Sequence, residues 1–161
     1  MSTDKFFYKW ILNFPNAALT LAGIKTTPTN YHALSVTLKE IELRLDCVLI
    51  PDDPDLPRVP IEFHGYKEER FFYRYGASCS LYCYQENYRG ALLPIVIFIE
   101  ASFAHGLPPA VFQYEGAETL SFHPRVIILE SLPLESILST GQVDLIPLLP
   151  LMLPETVIEP P

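Results

Sequence analysis

Cysteine, glycine and basic residues are scarce in this chain. Its three cysteines, Cys47, Cys79 and Cys83, contain no CxxC pair, and an odd number makes a poor disulfide framework, so we expect a reduced, cytoplasmic protein. The few glycines are isolated, which excludes a glycine-rich phosphate-binding loop. With 11 basic against 19 acidic residues, the net charge of −8 provides no overall positive field for nucleic acid or an anionic membrane. Any contact with nucleic acid therefore has to be local.

Long hydrophobic runs and hydrolase motifs are also missing. No apolar run reaches the roughly 20 residues of a membrane-spanning helix without a proline or a charge, and the N-terminus lacks the apolar region of a signal peptide. We therefore expect no membrane segment and no secretion. The histidines show no HExxH spacing and no G-x-S-x-G sequence is present, so a zinc site or a serine hydrolase triad has little support. With 161 residues that are 49% hydrophobic and 12% aromatic, the chain is predicted to be globular with a substantial core.

Hydrophobic periodicity predicts two helices followed by three strands. Apolar residues at helical spacing before a proline predict a helix over residues 2–14, and a shorter helix follows over 16–23. Alternating apolar and polar residues predict strands over 31–38 and 42–50, with a turn between them. A proline- and aspartate-rich hairpin loop then leads into a third strand within residues 58–66.

The second half of the chain is predicted to contain a long helix and a buried strand. Residues 67–88 have no proline and carry apolar side chains at helical spacing, with Gly76 as a weak point. Residues 91–101 are typical of a central strand, with Pro94 at its first residues or at a bulge. Two more short strands are predicted near residues 110–116 and 125–133. The order of elements, α-α-β-β-β-α-β, predicts an α/β fold.

Acidic residues interrupt the second and third predicted strands. Asp46 lies in "RLDCVLIP", and Glu62 and His64 lie in "IEFHGY", where the alternation of a strand places residues i and i+2 on one face. An antiparallel hairpin around residues 51–58 would bring Asp46 and Glu62 close together. Two carboxylates and one further nitrogen or oxygen donor at the rim of a sheet are typical of a site that holds Mg2+ or Mn2+ on a phosphodiester.

The pattern of these residues resembles the PD-(D/E)XK nuclease superfamily, in which an aspartate is followed about 15 residues later by E-x-[K/Q/H] on strands two and three. More narrowly, the stretches "TDKFFYKWILNFP", "SVTLKEIELRLDCVLIP" and "IEFHGYKEERFFYRYGASCSLYCY" resemble the bacterial recombination-promoting nuclease (Rpn) group. The resemblance implies a restriction-endonuclease-like αβββαβ core with a mixed central sheet flanked by helices. The nuclease-like domain would comprise residues 1–132, followed by a proline- and leucine-rich C-terminal tail at residues 133–161.

The same resemblance implies a metal-dependent DNA endonuclease associated with recombination or mobile elements. Asp46 and Glu62 match the metal-binding acids, and Glu40 matches a recurring acid that would complete the ligands of Mg2+ or Mn2+. His64 takes the place of a glutamine or lysine of the relatives, and it would orient or deprotonate the attacking water.

Contacts with DNA phosphates are expected beside the acids. Arg74 matches a frequent arginine of the family, and with Lys67 and Arg70 it forms the best local basic patch. Ser78 replaces a frequent acid of the relatives. We expect DNA as the partner. Because nucleases of this type often need two active sites to cut both strands, a homodimer is the plausible assembly.

Structural roles remain open for the candidate residues. An ion pair with Arg44 or Arg74 would account for Glu62. His64 would be a hydrogen-bonded structural histidine, and Asp46 and Glu40 would be turn residues. The alternative function is a binding or interaction protein built on a catalytically degenerate nuclease fold, which the proline-rich tail and the acidic surface favour.

Overall fold

The chain folds into a mixed five-stranded sheet with helices on both faces. The computed structural model describes residues 3–23, 31–37, 43–114, 117–139, 141 and 143–152. The first half contains α1 (Thr3–Asn13), α2 (Pro15–Leu21), β1 (Tyr31–Thr37), β2 (Arg44–Pro51), β3 (Val59–His64) and α3 (Phe71–Gln85). The second half contains β4 (Ile95–Phe98), α4 (Ala101–Ala104), β5 (Ala110–Tyr114), β6 (Ala117–Phe122), β7 (Arg125–Ile128), α5 (Leu134–Ser139) and α6 (Leu149–Met152), with 3-10 turns at Leu129–Ser131 and Val143–Leu148.

The order of strands in the sheet is β1-β2-β3-β4-β7. Strand β2 pairs antiparallel with β1 and β3, whereas β4 pairs parallel with β3 and β7. Helix α3 connects the parallel strands β3 and β4, as a parallel crossover requires. The predicted α/β class is therefore confirmed, as is the predicted order of two helices, three strands, a long helix and a further strand.

Helices α1 and α2 cover one face of the sheet. Phe7, Trp10 and Ile11 are buried at i, i+3 and i+4, and Pro15 opens α2 directly after α1 ends. The Phe7 ring stacks on Phe63 of β3 with centroids 4.1 Å apart. The predicted apolar face of the first helix is thus confirmed, and it anchors the strand that carries Glu62.

Helix α3 covers the opposite face. It buries Phe71, Tyr75 and Tyr82 against β2 and β4, and the Tyr75 hydroxyl bonds the carbonyls of residues 60 and 95 in neighbouring strands. Gly76 does not interrupt the helix, contrary to the expected weak point. A Cβ at Gly76 would lie 3.0 Å from the Phe122 ring, so the missing side chain lets strand β6 pack closely on the helix.

Strand β4 is shorter than the sequence predicts. Only Ile95–Phe98 is extended, and α4 begins at Ala101 within the predicted strand. Pro94 directly precedes the strand, because a residue without an N–H group cannot extend the ladder. Strand β6, which no sequence pattern predicted, forms a separate antiparallel hairpin with β5.

The leucine-rich C-terminal segment contributes to the core. Leu145, Leu148 and Met152 are buried in the same cluster as α1, and the Trp10 indole N–H donates to the Asp144 carbonyl at 2.8 Å. Among the residues that the structure describes, no helix is both long and apolar enough to cross a membrane.

Candidate functional site

Asp46 and Glu62 come together where the β2–β3 ladder ends. The paired residues are Leu49 with Val59, Val48 with Pro60, and Cys47 with Ile61, so the next step of the same register places Asp46 opposite Glu62. The Asp46 carboxylate Oδ2 accepts the Phe63 backbone N–H at 3.0 Å. The side chain of Asp46 thus replaces the backbone as the partner of β3 at this position.

A bulge in β2 accompanies Asp46. Leu34 pairs with Val48 but Val36 pairs with Leu45, so two residues of β2, Asp46 and Cys47, lie opposite one residue of β1. Bulges interrupt the regular alternation of a strand and re-aim a side chain. This accounts for the burial of Leu45 on the α3 face while Cys47 packs on the α1 face.

Glu62 is a buried carboxylate in a central strand, with 5% of its surface exposed. Its Oε1 accepts a hydrogen bond of 2.9 Å from Arg74 Nη1, and its Oε2 is buried without a hydrogen-bond partner among the described residues. Burial and the negative charge of Asp46 raise the pKa of Glu62 to about 7, because they outweigh the opposing effects of Arg74 and of the Asp46 backbone N–H. The carboxyl group therefore changes charge near neutral pH.

Arg74 is held between two acids. Besides Glu62, it contacts both carboxylate oxygens of Glu68 through Nε and Nη2 at 3.0 to 3.2 Å. Burial alone would lower the pKa of Arg74, but the hydrogen bonds and charges of Glu68 and Glu62 raise it, so the guanidinium stays charged. The expected pairing of Glu62 with Arg74 is confirmed, whereas the other proposed base, Arg44, bonds Ser35 instead.

His64 lies two residues after Glu62 on the same face of β3. Its imidazole is 2% exposed and packs against the rings of Tyr66, Phe71 and Phe98. Its Nε2 lies 3.8 Å from Glu68 Oε2. The imidazole is therefore enclosed by aromatic rings and lies next to the acid that holds Arg74.

The remaining predicted site residues are distributed around this cluster. Lys67 and Arg70 are exposed in the segment that leads from β3 into α3, while Ser78 is buried and its hydroxyl donates to the Arg74 carbonyl at 3.0 Å. Glu40 lies outside the described residues, as does the predicted turn at residues 39–41. The phosphate-binding roles of Lys67, Arg70 and Arg74 stay predictions.

Two residues of the cluster were missed by sequence reasoning. Glu68 lies before the start of α3, six residues from Arg74, so no helical spacing relates the two residues. Tyr66 lies just past β3, where a single aromatic residue gives no periodic signal. The path of the chain from β3 into α3 brings Tyr66 against His64, and Glu68 against His64 and Arg74.

The donor set of this cluster limits the metal chemistry. Over the described ranges, no three His, Cys, Asp or Glu side chains converge closely enough to form a metal cluster by themselves. Asp46 and Glu62 supply two carboxylates, and the buried Oε2 of Glu62, which has no hydrogen-bond partner among the described residues, is the atom that a cation would use. Mg2+ commonly binds through one or two carboxylates while waters and substrate phosphates supply the other ligands, so this pair fits such an ion.

Comparison with known proteins identifies a family. A family model described as a protein of unknown function (DUF2887) matches residues 3–151, so the chain belongs to this family. No curated protein and no solved structure matches the chain. The family description assigns no activity, and the chemistry of the site is the basis for a function.

Proposed function

We propose that this member of the DUF2887 family is a metal-dependent DNA endonuclease of the PD-(D/E)XK type, which hydrolyses phosphodiester bonds and is associated with recombination or mobile elements. Asp46 and Glu62 would bind Mg2+ or Mn2+, and Glu40 would be a further ligand. The observation that carries the proposal is the buried Oε2 of Glu62, which has no hydrogen-bond partner among the described residues and lies beside a second carboxylate. An unsatisfied buried acceptor is costly unless a ligand uses it.

The charges of the cluster support a divalent cation. Asp46, Glu62 and Glu68 carry three negative charges when ionised, and the Arg74 guanidinium compensates one of them. These four side chains then leave two negative charges, which a divalent ion would balance. Burial and the charge of Asp46 raise the pKa of Glu62 to about 7 despite Arg74, and a bound cation would favour the ionised carboxylate.

The chain's own residues would position substrate and water around the ion. A divalent cation in such a site polarises the phosphoryl oxygen and activates a bound water. His64 would orient or deprotonate that water, and the exposed Lys67 and Arg70 would contact neighbouring phosphates. DNA is the proposed partner, a homodimer the proposed assembly for cutting both strands, and the cytoplasm the proposed location.

Calorimetric titration of Mn2+ tests the metal site, with plasmid nicking as the test of activity. We would compare the wild-type protein with the double variant Asp46→Ala/Glu62→Ala, after circular dichroism has shown that both are folded. Binding and nicking that disappear together in the variant support a nuclease centred on these acids. Nicking by a purified Asp46→Ala protein at the wild-type rate would exclude the assignment.

A second candidate function is a non-catalytic interaction protein on the same fold. The specific observation in its favour is the Arg74 guanidinium, which already supplies a positive charge to Glu62 at 2.9 Å. A cation built into the chain could replace a metal ion in stabilising the fold. No Mn2+ binding by the wild-type protein would favour this second candidate over the nuclease.

A further inference from the structure

Tyr66 is an exposed aromatic residue that contacts His64 at the candidate site. Its ring packs on the His64 imidazole with centroids 4.3 Å apart, yet 60% of the residue remains exposed. The imidazole also packs against the buried rings of Phe71 and Phe98. Tyr66 therefore exposes aromatic surface to solvent beside His64, which shares a face of β3 with Glu62.

The charges around Tyr66 suit a phosphate backbone at short range. Lys67 is the next residue and Arg70 lies at the start of α3, and both side chains are exposed. Of the two acids between them, Glu68 is half-buried and held by Arg74, and Glu69 is exposed. On a chain with a net charge of −8, this is a local combination of two cations and one exposed aromatic ring.

We propose that Tyr66 is a stacking platform for an unpaired nucleobase, and that the substrate of the site is single-stranded or locally unpaired DNA. In a duplex both faces of a base are covered by its neighbours, so a protein ring reaches a base face only where the strand is unpaired or unstacked. A base on Tyr66 would place its own phosphates near Lys67 and Arg70. This inference rests on the proposed nuclease function, since it identifies the substrate of that site.

Fluorescence anisotropy with labelled oligothymidylate and with a hairpin duplex tests the platform. The measurements are made in EDTA, so that binding is observed without cleavage. Tyr66→Ala removes the ring, and Tyr66→Leu keeps an apolar cover on His64 without a flat aromatic face. Tyr66→Trp retains a stacking surface. Tyr84→Ala is the matched control, because Tyr84 is 81% exposed near the other end of α3.

We expect the wild-type protein to bind the single strand more tightly than the duplex. Loss of the ring should weaken single-strand binding about tenfold in both Tyr66→Ala and Tyr66→Leu. Tyr66→Trp and Tyr84→Ala should bind as the wild type does. Single-strand binding that is unchanged in Tyr66→Leu, or absent in the wild type, would overturn the platform.

Mn2+-dependent nicking by the same samples separates this inference from the proposed function. If the wild type nicks DNA but Tyr66→Leu binds single strands normally, the platform is wrong and the endonuclease stands. If single-strand binding depends on Tyr66 but no sample nicks DNA, the platform stands as a binding site and the catalytic proposal fails.

Discussion

Arg74 joins Glu62 of the central strand to Glu68 of the segment before α3, through hydrogen bonds of 2.9 to 3.2 Å. The guanidinium is the main favourable influence on a carboxylate that is otherwise buried beside Asp46. Removing one partner of a buried ion pair costs more than the pair contributes, because the other charge remains in the interior. The stability of the metal-free protein therefore depends on how Glu62 is neutralised.

Arg74→Met should destabilise the protein by about 2–4 kcal/mol at about pH 8, because Glu62 loses the partner of its charge and must either stay buried as an anion or take up a proton. The loss should be smaller at about pH 5, because Glu62 is then protonated and tolerates burial. Urea unfolding in EDTA at both pH values measures this difference. Arg70→Met is the control, since Arg70 is exposed and makes no ion pair with a described residue. An equal loss at both pH values would contradict the proposed state of Glu62.

Glu62→Gln should remove a pH-dependent part of the folding free energy. The pKa of Glu62 is raised from the ordinary glutamate value of 4.5, which we take for the unfolded chain, to about 7 in the folded protein. Between these values the folded state holds a proton that the unfolded state has released, so stability falls as the pH rises through this window. Below the window both states are protonated and above it both are ionised, so the Glu62 contribution no longer changes there.

Unfolding free energies of wild type and Glu62→Gln across this pH range, measured in EDTA, check the sign. The wild type should lose stability relative to the variant by roughly 3 kcal/mol from the lower to the upper end of the window. Parallel stability curves for the two proteins would show that the pKa of Glu62 is not raised.

Asp46→Asn should separate the structural role of Asp46 from its charge. The amide oxygen of asparagine can still accept the Phe63 N–H, so the end of the β2–β3 ladder should be retained. We expect a stability change within about 1 kcal/mol and at least about tenfold weaker Mn2+ binding. Thermal unfolding and calorimetry on Asp46→Asn and Asp46→Ala test both parts. If Asp46→Asn binds Mn2+ with the affinity of the wild type, the negative charge of Asp46 does not contribute to metal binding.

The sequence was sufficient to predict elements with a strong periodic pattern. The apolar face of α1 and the long helix α3 follow from helical spacing, and the three antiparallel strands follow from alternation and a proline-rich loop. The proximity of Asp46 and Glu62 also follows, because a hairpin fixes which residues of its strands face each other.

The parts that depend on tertiary contacts could not be predicted in this way. The bulge at Asp46 arises from a register shift between β1 and β2, and neither strand shows it in its own pattern. Glu68 joins the site only because the chain turns back from β3 into α3. Gly76 has a low helix propensity, but its missing side chain makes room for Phe122. That residue is 46 positions away, in a strand that was not predicted.

Leu148→Ala should destabilise the protein by about 2–5 kcal/mol, because it leaves a cavity in the main core. Leu148 is fully buried in the cluster that contains Trp10, although the sequence suggested that residues 133–161 form a tail. Ile146→Ala is the matched control, since Ile146 lies in the same 3-10 turn and is 49% exposed. Urea unfolding followed by the fluorescence of Trp10, the only tryptophan, measures both variants. If the two substitutions have the same small effect, the C-terminal segment does not contribute to the core. The family match, which extends to residue 151, would then not indicate a packing role for this segment.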